Sequence, residues 1–332
     1  MRFSRRRVLQ LSGAAAGAAV VGPLPDSAQA ETYPSRPVTV IVPFAAGGPL
    51  DISGRILTAS MQEALGQPVV VENVGGAGGT IGLARVAHAV PDGYTLGLSI
   101  LNTQVINGAL YDLSYDLQRD FAPIALYTDG PLLIVGRKTL AANNLQELIA
   151  WLKANPDKAT AGTTGVGSPQ HVAGALFEQA TSTHFQVTHY RGGGQVTQDL
   201  VGGQIDLVFS DIVTAVPQIR AGTIKAYAVM AKTRLALLPE VPTTDEAGVP
   251  GLYSSVWNSL WAPAGTPRPI IDKLNAAVVA AVNDPKLQAR VADIGRTLFP
   301  REMMTPEALG KLQRDEIAKW WPIVRAAGMK AE

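Results

Sequence analysis

Cysteine is absent from the 332 residues, histidine occurs only four times, and aromatic side chains make up 6% of the chain. Without thiols there is no disulfide framework, no thiolate nucleophile and no cysteine-linked lipid anchor. The four histidines, at 88, 171, 184 and 189, fall at no metal-ligand spacing, and no H-E-x-x-H occurs, so neither a metal nor a cofactor is expected. Charge of one sign is lacking too: 28 Lys+Arg stand against 27 Asp+Glu, with no basic run and no aromatic-basic stripe. Nucleic-acid binding therefore has no electrostatic footprint. No run after residue 30 approaches the ~18 apolar residues of a membrane span.

What is present begins with an export signal. Arg5-Arg6-Arg7 precedes a modestly apolar stretch, Val8 to Val21, followed by Pro23, Pro25 and Ala28-Gln29-Ala30. A basic start, a short apolar run and an A-x-A site read as a signal peptide over 1–30, cleaved after Ala30 to release a periplasmic protein. Twin arginines before a weakly apolar run favour the Tat route. The segment carries four arginines and one aspartate, so the mature chain has 24 basic and 26 acidic residues, net −2.

Short apolar runs alternate with helical patterns through the mature chain. Val38–Val42 reads as a buried strand; Ile52, Ile56, Leu57, Met61 and Leu65 recur at helical spacing, with Gly66 placed to end that helix. Strands near 69–72 and 94–99 flank a helix near 81–89. A second series places helices at 145–153, 168–180 and 212–220 among strands at 158–163, 186–190, 205–209 and 224–230. Such alternation predicts an α/β fold with mainly parallel sheets. Thr266-Pro267, Asp284-Pro285 and Thr305-Pro306 are start signals for three closing helices, and Pro322 predicts a kink or break near Trp321. Long extended stretches at 124–136 and 253–262 are candidates for the connections between two lobes, one of 31–131 with 256–332 and one of 132–255.

Three glycine-rich turns join strands to helices: Pro43–Asp51, Gly75–Thr80 and Thr163–His171. Such turns expose backbone N–H groups at the positive end of a helix dipole, where they hold an anion without an arginine. The nucleotide fingerprint fails on spacing, since Ile81 and Thr197 stand where G-x-G-x-x-G needs its last glycine. Asp51 reads as a cap of its own helix or a contact for a ligand ammonium. His171 anchors its loop or touches ligand. Asp211 is an N-cap or a hydrogen-bond acceptor for bound solute. Ser168, His171 and Asp211 also invite a hydrolase reading, but G-x-S-x-G is absent around Ser168, and Ser and His three apart on one helix do not build a triad.

The loops sit among further segments that match one family. These include Tyr33-Pro34-Ser35-Arg36-Pro37, Val71-Glu72-Asn73, Pro91-Asp92-Gly93-Tyr94, Tyr190-Arg191-Gly192-Gly193, Leu238–Thr243 and Trp261–Pro267. Together with Pro43–Asp51 and Gly167–His171, they make the chain resemble the substrate-binding proteins of tripartite tricarboxylate transporters, the Bug-type receptors. The resemblance implies a two-lobed periplasmic-binding-protein type II fold with a two-strand hinge. It also implies a small carboxylate ligand (a di- or tricarboxylate, an acidic amino acid or an aromatic acid) gripped by the loops at 44–51 and 165–171. The integral-membrane subunits of the transporter are the implied partners of a monomeric receptor. The ligand-binding set expected on this basis is Phe44, Ala45, Ala46, Gly47, Gly48, Asp51, Asn102, Thr103, Thr163, Gly165, Gly167, Ser168, His171 and Asp211. Leu50, Gln104, Gln170 and Arg191 depart from the usual pattern, and Leu50 and Gln104 are expected to shape the pocket. Two other readings stand beside this one: an exported hydrolase using Ser168 and His171, and a sensor that presents ligand to a kinase.

Overall fold

The computed structural model describes residues 33–326, so the export-signal expectation for 1–30 lies outside the described residues. Two mixed sheets carry the fold. The first contains β1 (Val38–Val42), β2 (Val69–Asn73), β3 (Thr95–Ile100), β4 (Phe121–Asp129), β10 (Asn258–Pro263) and β11 (Thr297–Leu298), in the order β11-β4-β10-β3-β1-β2. The second contains β5 (Leu132–Arg137), β6 (Thr160–Thr163), β7 (Gln186–His189), β8 (Leu207–Asp211) and β9 (Ile224–Val229), in the order β7-β6-β8-β5-β9. In each sheet the parallel strands stand together, and one antiparallel strand, β10 or β5, separates them from the next. The shared order makes this the two-lobed type II arrangement.

The lobes meet through two crossing segments. β4 ends at Asp129, Gly130-Pro131 breaks the run, and β5 starts at Leu132; the returning chain enters β10 through Ser254–Trp257. The segments pair by an antiparallel bridge between Pro131 and Ser255, with Val256 N–H donating to Gly130 O and Leu132 N–H to Ser254 O, both across 2.9 Å or less.

Local chemistry explains the elements. α1 (Pro49–Leu65) has extended Gly48 at its cap, proline at its first position, and Gly66 at φ 68°, whose N–H returns to Gln62 O. The helix lies close on its sheet at Gly54, where a Cβ would stand 2.3 Å from Leu98 Cδ1. α8 (Arg268–Val282) flanks α1 and lays Ile271, Leu274, Val278 and Val282 into the core. The proline start signals are shifted by one residue at α8, where Thr266 bonds Pro263 O and Pro267 takes the cap position. α9 (Pro285–Asp293) starts as expected, with Asp284 accepting the Lys286 N–H.

The break expected at Pro322 does not occur. The last helix, α10 (Pro306–Ala326), runs through it, and the preceding residue is pinned by the Trp321 Nε1 donation to Val105 O at 2.8 Å. A helix the sequence reading omitted, α6 (Gly193–Val201), starts within the glycine run after β7. Helical geometry follows β3 directly, through Asn102–Leu110, whose last residues form α3 (Asn107–Leu110). Among the described residues no helix is long and apolar enough to cross a membrane, and no group of His, Asp and Glu could hold a metal ion.

Candidate functional site

The remaining helices are α2 (Thr80–Ala87), α4 (Leu145–Ala154), α5 (Pro169–Thr181) and α7 (Ile212–Arg220). Three long helix N-termini converge on one cavity of about 270 Å³ between the lobes. α1 contributes Gly48, Pro49 and Leu50 from the first lobe; α5 contributes Pro169 and Gln170, and α6 contributes Gly192 to Gln195, from the second. First-turn amides have no acceptor inside their own helix. Each such terminus favours a negative group by roughly 0.3–2 kcal/mol, the larger values applying where water is excluded. None of the three caps is acidic: they are Gly48, Ser168 and Gly192. The wall is completed by apolar side chains, among them Phe44, Ile100, Leu132 and Val256.

The lining has three charged residues, and two neutralise each other. Arg296 Nη2 pairs with Asp211 Oδ2 at 2.5 Å, with both side chains almost fully buried. Arg191, at the mouth, has no ion-pair or hydrogen-bond partner among the described residues. The cavity's uncompensated charge is therefore one positive guanidinium beside three positive helix ends.

The cleft is closed on both flanks. A Cβ at Gly192 would stand 3.3 Å from Ala45 Cβ, and one at Gly193 would stand 3.7 Å from Pro49 Cδ. On the other flank Tyr111 Oη donates to Val166 O at 3.2 Å, and a Cβ on Gly167 (φ 72°) would fall 2.0 Å from Leu110 Cδ1.

Phe44, Ala45, Ala46, Gly48 and Asp211 lie on the cavity wall. Asp211 is also the N-cap of α7, its Oδ1 accepting the Val213 N–H, so its acceptor capacity is committed to protein. The other nine residues of the expected set are not among the lining residues. Asp51 is 3% exposed and holds its own loop: it accepts from Gly47 N–H, Arg55 and Asn73. Burial alone would raise its pKa, yet the bonds from Arg55, Gly47 and Asn73 together hold it below the ordinary carboxylate value. Asn102, with Asn107, donates to Gly78 O and so fastens the Gly75–Gly79 turn, which backs Phe44 and Ala45. Thr103 bonds the Ile100 backbone.

In the second loop, Thr163 Oγ1 pairs with His189 Nδ1 at 2.6 Å and receives the Gly165 N–H. Ser168 caps α5 by accepting the His171 N–H, and Gly167 N–H donates to His171 Nδ1 at 3.1 Å. Burial, then the neighbouring His189, lower the His171 pKa to about 4, so the ring is neutral at pH 7. Ser168 is fully buried and bonds a backbone amide, not an imidazole. Gln104 corrects another expectation: it is buried in an amide network with Gln313 and Ser99 and does not border the cavity.

Arg296 and the α6 N-terminus were missed. Nothing in the pattern around Arg296 marks it, since its partner lies 85 positions away in sequence. The α6 start did leave a trace in Tyr190-Arg191-Gly192-Gly193, but three successive glycines argue against a helix on propensity.

Known proteins share this build. The family profile described as "Tripartite tricarboxylate transporter family receptor" matches residues 54–329. An Agrobacterium vitis protein encoded in the TAR-I ttuE-ttuC' intergenic region is 41% identical over 306 residues, 92% of this chain and 88% of its own. MatC from Rhodopseudomonas palustris, solved with bound malate, is 40% identical, with a TM-score of 0.84 over 88% of this chain and 100% of its own. The periplasmic binding protein BugD is 38% identical, with a TM-score of 0.86 over 90% of this chain and 100% of its own. The matching family is one of receptors, and BugD is a periplasmic binding protein, so the chain is a receptor and not an enzyme, in accord with a Ser168 used up as a cap. The chain belongs to the tripartite tricarboxylate transporter receptor family.

Proposed function

We propose that the protein is a periplasmic receptor that closes its two lobes on a small dicarboxylate and delivers it to the integral-membrane subunits of a tripartite tricarboxylate-type transporter. The observation that carries this is the convergence of three helix N-termini, none with an acidic cap, on one cavity between the lobes. One ligand carboxylate takes the first-turn amides of α1, α5 and α6, which belong to different lobes. Because that contact is complete only when the lobes meet, the anion favours the closed form by differential affinity. A second carboxylate finds Arg191 at the mouth.

The volume of about 270 Å³ is below the ~300–1,000 Å³ of drug-sized sites, which favours a small acid. MatC, similar over its whole length, was solved with malate. The receptor acts as a monomer. The lobes divide at 131/132 and 255/256 and rotate about the two crossing segments. Residues 1–30 direct export and are removed after Ala30, with the arginine triplet favouring the Tat route.

Calorimetry against small acids paired with their amides tests the reading. Binding of an acid with loss of binding for its amide is expected. Equal binding of both, or binding of neutral solutes alone, overturns it.

A further inference from the structure

The part of the cavity wall that belongs to the crossing segments has its polar groups already bonded within the protein. Leu132 and Val256 stand in those segments, and Ile100, at the end of β3, pairs with Asn258 beside them. Leu132 N–H donates to Ser254 O, and Leu132 O accepts from Met230 N–H, each at 2.9 Å. Val256 N–H donates to Gly130 O, and Val256 O accepts from Arg296 Nη1, each at 2.8 Å. Ile100 N–H and Ile100 O both bond Thr103 Oγ1 at 3.0 Å. The polar side chains around this wall are spent too. Asp211 accepts from Arg296 and from Val213 N–H, and Asn258 Nδ2 donates to Ser53 Oγ. Arg296 Nε and Asn258 Oδ1 are buried, out of a solute's reach. What this wall presents to the cavity is hydrocarbon.

We propose that Ile100, Leu132 and Val256 form a specificity-determining wall for the ligand's carbon chain, so that the receptor takes acids with an apolar body and disfavours those bearing a hydroxyl or ammonium there. This rests on the carboxylate reading above and specifies its substrate class. The helix N-termini and Arg191 serve the charged ends, which leaves the chain to this wall. A methyl group placed against it gains roughly fourfold in affinity for each carbon removed from water. A hydroxyl gives up its bonds to water and finds every nearby partner engaged, which costs about five- to a hundredfold. An ammonium fares worse, because the Asp211 charge is already matched by Arg296.

The experiment measures affinities of the full chain for two series of acids, with their amides beside them. In 2-methylsuccinate, malate and aspartate a methyl, a hydroxyl and an ammonium occupy one position on the chain. In pentanoate, 4-hydroxybutanoate and 4-aminobutanoate the same three groups occupy its far end. In each series that binds, the methyl acid is expected to bind at least fivefold tighter than the hydroxy acid, and the amino acid is expected to bind weakest. Val256→Thr and Ile100→Thr each put a hydroxyl on the wall. In a variant that keeps its folded melting transition, the ratio of methyl to hydroxy acid is expected to fall at least threefold.

A hydroxy or amino acid that binds as tightly as its methyl counterpart in either series overturns the apolar wall while leaving the carboxylate receptor standing. Ratios unchanged in both folded variants overturn it as well, since the selection then arises elsewhere in the cavity. If no acid binds in preference to its amide, the carboxylate reading itself fails, and the wall's role with it.

Discussion

Arg296 and Asp211 join the two lobes through an ion pair buried at the cavity wall, 2.5 Å from nitrogen to oxygen. Arg296 stands between α9 and β11 of the first sheet's lobe, and Asp211 ends β8 in the second. Because both charges are desolvated, removing one strands the other. Arg296→Met is therefore expected to lower stability by about 3–5 kcal/mol, read from urea unfolding. Pairing it with Asp211→Leu should recover much of that loss. Equal losses in the single and double variants would show that the pair is not coupled.

The neutral ring of His171 sets a pH dependence. Its pKa is about 4 in the folded protein against 6.5 for the free group. Between these values the unfolded chain takes up a proton that the folded chain excludes, so stability is lost as pH falls from 6.5 toward 4. The slope from one such group is at most ~1.4 kcal/mol per pH unit. His171→Gln should flatten this part of the profile when unfolding is followed at pH 7.5, 6 and 5. Parallel profiles for the two proteins would remove His171 as the cause.

Gly192 faces Ala45 across the closed cleft with no room for a branched side chain. Its backbone is extended (φ −169°), so substitution brings no local strain. Gly192→Val is expected to leave the ligand-free melting temperature nearly unchanged and to weaken carboxylate binding at least tenfold. Small-angle scattering should show the variant failing to contract when acid is added. Normal contraction would mean the flanks need not meet at this point.

Arg191 should contribute charge but little else, being exposed and unpaired. Exposed ion pairs contribute up to ~1 kcal/mol, so Arg191→Gln is expected to weaken dicarboxylates about three- to fivefold and monocarboxylates hardly at all. The dicarboxylate loss should shrink at high salt. Equal weakening of both classes would place Arg191 near the first carboxylate instead.

The sequence made the fold legible wherever burial forces a period. Val38–Val42, the face of α1 and the end of β8 at Asp211 are all written in local pattern. It also exposed two of the three helix-start turns that border the cavity, because a strand, glycines and a helix must follow one another in the chain. It could not tell which loop residues turn toward the cavity. Asp51, Asn102 and His171 all point back into protein, holding the loops that form the wall. Nor could it reveal Arg296, whose place depends on a return crossing between lobes, or α6, whose glycines have poor intrinsic helicity but fit the narrow gap beside Ala45 and Pro49.

The strand order carries a consequence for how the polypeptide is built during synthesis. β5 to β9 follow one another without interruption, so the second sheet is complete once residue 229 has emerged. The first sheet needs β10 between β3 and β4, and that strand arrives only at 258–263. Until then β3 and β4 each expose an open edge toward the missing neighbour. The lobe that begins the chain is therefore the last to close its sheet, and a ribosome paused before residue 258 would hold a finished second lobe beside an unfinished first.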